Sequence, residues 1–455
     1  MHAIQIVTER MTLHGSKTAI IWNNTSYSYA TFISLIDNWS KVLTSLNIGR
    51  GTVCGFVAEY SPQSCALIFA LIKAKAILVP FTFSAHHELP EFIKIACVEC
   101  LFRFSLDDSW TFEELHVGEK NDLLMSFNDR DVSGLIVFSS GSTGKPKGIL
   151  QDCERVMKKF VVERQEWSTL LFLMLDHFGG FNTLLSTFAY GGTAVCLPDR
   201  SPDSVCRIIE QTKATLLPTT PTFINLLIAS RSYKNFDLSS IRLITYGTEV
   251  MPAATLSIIN KVFPNARLKQ TYGLSELGVL RSKSEKDDSV WVKIGGDGFE
   301  TKVIDNILWV RSEANMVGYL NAPNPIDKYG WMCTGDHVEV RGEYMHILGR
   351  VSDIINVGGQ KVFPTEIENI LLEADNVVEA TVIGVPHPLM GNVVRAMVTL
   401  NCPEDPLHLS ERLRRHCIDR MSKHKIPVRF TAIGSDEHRN MRFKKARSTL
   451  GNTIN

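Results

Sequence analysis

The chain has no excess of charge of either sign. Its 455 residues carry 48 Lys plus Arg against 48 Asp plus Glu, so whole-chain electrostatics offers nothing to a nucleic-acid backbone or an anionic membrane surface. Long apolar runs are also missing. The most apolar early stretch, Cys65 to Phe81, is interrupted by Lys73 and Lys75, which makes it a poor membrane span. The opening Met-His-Ala-Ile-Gln-Ile-Val-Thr-Glu-Arg lacks the charged-then-apolar order of a secretory signal. The ten cysteines are scattered, and only Cys97 and Cys100 form a CxxC. No second pair follows at zinc spacing, so reduced thiols and a cytoplasmic setting are expected, with a redox or metal pair as the lesser alternative.

What is present is an ordinary globular composition, 44% hydrophobic and 21% charged, on a chain too long for one typical core, so two or more domains are expected. Residues 1–135 alternate apolar runs with helical patterns. A helix is expected from about Phe32 through Leu46, a strand at Thr52 to Val57, a helix at Ser64 to Ala74 and a strand at Ala76 to Pro80. Such repetition implies parallel sheet covered by helices. Further on, Cys153 to Gln165 reads as a helix, Leu170 to Leu175 as a buried strand, and Ile241 to Gly247 as a strand. From Ile294 to Tyr319 short alternating strands imply a small antiparallel or barrel-like unit. The last hundred residues mix helix and strand.

The stretch that organises the chemistry is Phe138-Ser-Ser-Gly-Ser-Thr-Gly-Lys-Pro-Lys-Gly148, which follows the apolar run Leu135-Ile-Val-Phe138. Glycines free the backbone, hydroxyls and N–H groups suit phosphate oxygens, and Lys145 and Lys147 supply charge. It is not the common nucleoside-triphosphate P-loop, because Gly144-Lys145 is followed by Pro146 and the first glycine is too close. A solvated Gly/Ser turn is the plain alternative. Four more motifs follow in order: Tyr272-Gly-Leu-Ser-Glu276, Tyr329-Gly-Trp-Met-Cys-Thr-Gly-Asp336, Gly349 to Glu368, and a basic tail around Lys444.

Together these motifs resemble the adenylate-forming enzymes: acyl-CoA synthetases, aryl and fatty acid ligases and peptide-synthetase adenylation domains. The resemblance implies an α/β fold. A large N-terminal domain, residues 1–350, would hold parallel-sheet subdomains and a small β-barrel-like part. A small mobile α+β domain, 351–455, would follow. The implied ATP site comprises Ser139, Ser140, Gly141, Ser142, Thr143, Gly144, Lys145 and Lys147 around the phosphates. Gly247, Thr248 and Glu249 line the adenine pocket, with Gln270, Thr271, Tyr272 and Gly273 beside them. Ser275 would bond phosphate and Glu276 would ligate Mg²⁺. Asp336 would accept from the ribose hydroxyls, and Arg350 would hold ribose or phosphate. The implied catalytic set is Lys444, Thr143, Glu276 and His177. The implied acid pocket is His177, Phe178, Gly179 and Tyr246, where Tyr246 replaces a usual small residue. Asp176 is open between an ammonium partner and a turn cap. Ser352 stands at the hinge, where the family has Asp or Lys. Phe443 stands where the family has Gly, and Lys445 competes with Lys444 for register.

The implied reaction is ATP-dependent activation of a small carboxylic acid as acyl-adenylate with release of pyrophosphate, then transfer to the thiol of CoA. The acceptor alternative is the phosphopantetheine of a separate acyl carrier protein; the lack of a carrier domain after residue 455 leans toward CoA. A non-catalytic nucleotide-binding relative is the third reading, motivated by Phe443 and Ser352. The hydrophobic strands near His177 lean toward an acid with an uncharged tail.

Overall fold

The computed structural model describes residues 2–115, 118–140, 145–296, 298–434 and 438. Two seven-stranded sheets form its larger part. In one, the strand order is Arg267–Gln270, Leu243–Tyr246, Leu216–Thr219, Ser168–Leu170, Thr193–Val195, Thr18–Trp22 and Thr25–Ser28, parallel except for the last pair. The other runs Gly318–Tyr319, Pro146–Asp152, Gly134–Ser140, Ile77–Phe81, Val53–Val57, Cys100–Phe104 and Trp110–Glu114, with a parallel centre and antiparallel margins.

Alternation along the central strands explains the layers. Cys54, Phe56 and Leu78 face a core shared with the helices Tyr29–Ser45, Pro62–Lys73 and Phe178–Ala189 and with Ile20 and Ala194 of the other sheet. Val53, Ile77 and Val79 face a separate core under the helix Leu89–Ala96. A strand buried on both faces reads as an unbroken apolar run, which is what Ile77-Leu-Val-Pro-Phe81 is. The middle helices are correspondingly apolar: in Pro62–Lys73 every residue from Ser64 to Ile72 is buried, and Ser61 caps its start through the Ser64 N–H at 3.1 Å. A third core lies on the outer face of the first sheet, under the helices Pro202–Thr212, Pro221–Ser230 and Ala253–Val262.

A six-stranded antiparallel sheet follows, from Ser282–Ser284 to Tyr344–Arg350. The 3-10 turn Val351–Asp353 then leads into a five-stranded sheet from Ile355–Val357 to Arg429–Ala432, backed by the helices Pro364–Leu372 and Pro406–Ile418. This is the mixed α/β architecture expected. Among the described residues no helix is long and apolar enough to cross a membrane. All ten cysteines are free thiols.

Two expected elements differ. The helix over Cys153 to Gln165 stops at Met157 and gives way to the 3-10 turn Lys158–Phe160. The expected strand Leu170 to Leu175 stops at Leu170. Its apolar continuation is buried without a ladder: Leu171 and Leu175 enter the middle core and Phe172 the outer one. The Leu171 N–H donates to Val195 O at 2.9 Å, and Arg200 Nε donates to Phe172 O at 2.6 Å.

Phe188 holds the middle layer together, with ring centroids 4.5 Å from Phe32 and 5.5 Å from Phe69. Phe188→Ala should cost about 3–5 kcal/mol, read as an earlier urea transition; an unchanged transition would refute this account of the middle layer.

Candidate active site

The C-terminal ends of three parallel strands set the floor of the site. Thr219, Tyr246 and Gln270 stand in register across them, and in open α/β sheets that edge is where ligands bind. Just beyond, the Thr271 N–H donates to Tyr246 O at 2.7 Å. This draws the two strand ends so close that a Cβ on Gly247 would lie 2.5 Å from Thr271 Oγ1. Gly247 therefore has no tolerated replacement that keeps this turn. Thr248 follows with φ 72°, in the left-handed region. Glu249 accepts from Thr222 Oγ1 at 2.6 Å, which ties this turn to the start of the helix Pro221–Ser230.

These residues open on a cavity of about 1700 Å³. Of the expected nucleotide residues, Ser139, Lys147, Gly247, Thr248, Glu249, Gln270, Thr271, Tyr272, Gly273, Ser275, Glu276, Asp336 and Arg350 line it, as do His177, Phe178, Gly179 and Ser352. Gly141, Ser142, Thr143, Gly144, Phe443, Lys444 and Lys445 lie outside the described residues, as does the side chain of Ser140. Lys145 is exposed and does not line the cavity. Tyr246 is a correction. Its side chain is 1% exposed and packs in the outer core, because strand alternation turns it away from the cavity while Thr245 and Gly247 face in. Asp176 is buried away from the cavity wall and accepts from Thr82 Oγ1 at 3.3 Å. That leaves His177, which precedes the helix Phe178–Ala189, to face the cavity.

The centre of the site is a buried carboxylate. Asp336 sits directly opposite Arg350 in the antiparallel pairing of Trp331–Arg341 with Tyr344–Arg350. It accepts from the Tyr272 hydroxyl at 2.5 Å, and Arg350 Nε lies 3.4 Å from its other oxygen. Burial raises the Asp336 pKa above its ordinary 3.8, while Arg350 and the Tyr272 bond oppose the rise.

Glu276 is the second carboxylate. The Tyr319 hydroxyl donates to its Oε1 at 2.7 Å, and the Lys147 ammonium lies 5.1 Å from the Tyr319 ring centre. Tyr319 was not among the expected site residues; the sequence shows it only as part of a strand. Burial and then Glu276 raise its phenol pKa. Among the described residues no group of three His, Cys, Asp or Glu side chains could hold a metal ion. A single carboxylate beside a phosphate site nevertheless fits Mg²⁺, which takes one or two carboxylates and completes its shell with phosphate and water oxygens.

The opposite wall comes from downstream of the 3-10 turn. Phe363, Glu368 and Val382 to Gly384 line the same cavity, with Glu368 held by the Val382 N–H at 2.9 Å.

An AMP-binding enzyme family model matches residues 7–320, and an AMP-binding enzyme C-terminal domain model matches residues 366–440. The chain belongs to the AMP-binding enzyme family. It is 31% identical to a methyl-dioxo-octahydro-indenyl-propanoyl:CoA ligase of Rhodococcus jostii, over 86% of this chain and 83% of that one. It is 27% identical to an indoleacetate–CoA ligase of Aromatoleum aromaticum, over 85% of this chain and 86% of that one. Its fold matches that of an anthranilate CoA ligase in complex with anthranoyl-AMP, with a TM-score of 0.85 at 20% identity, over 99% of this chain and 96% of that one.

Because burial raises Asp336 and Arg350 opposes it, Arg350→Met should raise that carboxyl further. On the expected contact of ionised Asp336 with the ribose hydroxyls, the acid limb of AMP affinity then moves to higher pH. Asp336→Asn should weaken AMP binding roughly 10–100-fold and remove that limb. An acid limb unmoved in Arg350→Met, followed by calorimetric titration across pH, would refute the pairing.

Proposed function

We propose that this AMP-binding enzyme is an AMP-forming acyl-CoA ligase that works in the cytoplasm. A carboxylate attacks the α-phosphorus of ATP, pyrophosphate leaves, and the thiol of CoA then displaces AMP from the acyl-adenylate. The observation that carries this reading is one cavity holding two differently prepared carboxylates beside the mouth of a deep pocket. Asp336, fixed by Tyr272 and Arg350, presents acceptors suited to a vicinal diol. Glu276, braced by Tyr319, would hold a phosphate-bound cation. The similarity to named CoA ligases supports the same chemistry and acceptor.

Carboxylate and triphosphate repel, so alignment and positive charge are what the site must supply. Mg²⁺ held at Glu276 would supply Lewis acidity and neutralise phosphate charge. Lys147 adds a fixed cation at the cavity wall. The loop residues Ser139 to Lys145 would wrap the phosphates, and Lys444 would bridge the substrate carboxylate and phosphate. His177, with Phe178 and Gly179, would separate the acid pocket from the nucleotide. Adenine would lie against Gly247 to Glu249 and Tyr272. For the second half-reaction, residues 351–455 would turn about Ser352, withdraw Lys444 and bring Gly358 and Gly359 toward the incoming thiol.

Pyrophosphate–ATP exchange over a panel of carboxylic acids tests this. Exchange is expected with at least one acid, dependent on Mg²⁺, and acyl-CoA should form when CoA is added. Lys444→Ala should slow adenylation by about 10²–10³-fold, while Lys445→Ala retains it. Exchange with no acid would overturn the enzyme reading. Acyl transfer only to a carrier-protein phosphopantetheine would overturn CoA as the acceptor.

A further inference from the structure

The cavity does not end at the nucleotide. It continues along the helix Phe178–Ala189, whose Gly179, Thr183, Ser186 and the following Tyr190 line it. Those positions recur every three to four residues, so they form one face. From Gly179 to Tyr190 the rise is about 16 Å. The first two turns of this face are small or hydroxylated rather than aliphatic. At the far end stand cations. Lys159, Arg164, Lys269 and Arg281 all line the cavity, and they come from three separate segments of the chain.

Among the described residues, Lys159, Arg164 and Lys269 are poorly matched by acids. Glu163 and Glu166, the acids nearest Arg164 in sequence, pair with Arg10 and Lys17 instead. Among the described residues no carboxylate makes an ion pair with Lys159, Arg164 or Lys269. Lys159 donates to the Val279 carbonyl at 3.1 Å, a neutral acceptor that leaves its charge uncompensated. Burial, then Arg164 and Arg281, lower its pKa to about 7. Lys269 is lowered as well, by burial and then by Arg164 and Arg267. Lys159 and Lys269 are half-buried beside the exposed Arg164, so like charges repel there and the two lysines lose hydration. Surface lysines of a merely solvated face would suffer neither cost. An anion arriving between them would reverse both.

The geometry points to a second acidic group on the substrate: the acid that this enzyme activates carries an anion at its far end, received by Lys159, Arg164 and Lys269. This rests on the ligase reading above and deepens it. It departs from the uncharged tail that the apolar run before His177 suggests: Leu171 and Leu175 are spent in the core, and Phe172, Leu173 and Met174 give the cavity an apolar stretch that a substrate's chain can cross to reach the cations.

Two matched series test it: straight-chain dicarboxylic acids (adipic, suberic, sebacic, dodecanedioic) and monocarboxylic acids of the same lengths, compared by pyrophosphate–ATP exchange. At least one diacid should exceed its matched monoacid in kcat/KM by about 10–100-fold. Lys159→Met and Lys269→Met should each shrink that ratio by a similar factor, mainly through KM, and Lys159→Arg should restore most of it. Monoacids preferred throughout, or a ratio unmoved in both Met variants, would overturn the anionic-tail assignment while leaving the ligase reading intact. Exchange with no member of either series or of the wider acid panel would remove the ligase reading and this inference with it.

Discussion

The hydrogen bond from Tyr272 to Asp336 is the constraint on which the site's geometry depends. Tyr272 begins a short strand immediately after the parallel sheet ends at Gln270. Asp336 belongs to the antiparallel sheet, and the register of its hairpin places Arg350 across from it. One buried carboxylate therefore joins the floor of the cavity, its side wall and the residue that precedes the turn into the last sheet. Ionised Asp336 is unfavourable in that setting, and what keeps it serviceable is the pair of partners. Loss of either leaves a buried acceptor unsatisfied, which costs more than the bond itself contributes.

Charge is uneven along the cavity. Asp336 and Glu276 stand with Arg350 and Lys147 on one part of its wall, and Lys159, Arg164, Lys269 and Arg281 on another. ATP is an anion, so neither carboxylate can meet its phosphates directly. On the proposed reading Asp336 would avoid this by facing the ribose hydroxyls, and Glu276 would require an intervening cation. The same reasoning run in the opposite direction applies to the proposed anion site, where Lys159, Arg164 and Lys269 have no carboxylate partner among the described residues.

The parts of this fold that show in the sequence are those where burial and backbone pairing coincide. Ile77 to Phe81 and Leu135 to Phe138 are apolar because both faces of their strands are covered, and they are strands. Leu171 to Leu175 is equally apolar but forms no ladder, since an apolar run reports exclusion from water and says nothing about where the N–H groups go. Tyr246 shows a related limit. The motif fixes its position at a strand end, but whether its side chain meets ligand or core depends on the parity of the strand. That Glu276, Asp336 and Arg350 share one cavity is legible, because their motifs mark them as a group. Tyr319, Lys159 and Lys269 are not, because their meaning comes from what another segment brings beside them.

The two walls of the cavity come from opposite sides of one turn. Tyr272, Asp336 and Arg350 all precede the turn Val351–Asp353, and their mutual bonds cross only elements upstream of it. Glu368 and Val382 to Gly384 lie beyond it and are fixed to one another within the last sheet. A rotation about that turn would replace the second wall and leave the first untouched. On the proposed reaction that asymmetry is what a first half-reaction at phosphorus and a second at the acyl carbon require. The nucleotide must stay where it is bound while the groups facing the acyl carbon are exchanged for a path that admits a thiol. A small residue, Ser352, at the middle of the turn is compatible with that exchange, because its side chain bonds only the adjacent Asp353, at 3.0 Å, and nothing on either wall.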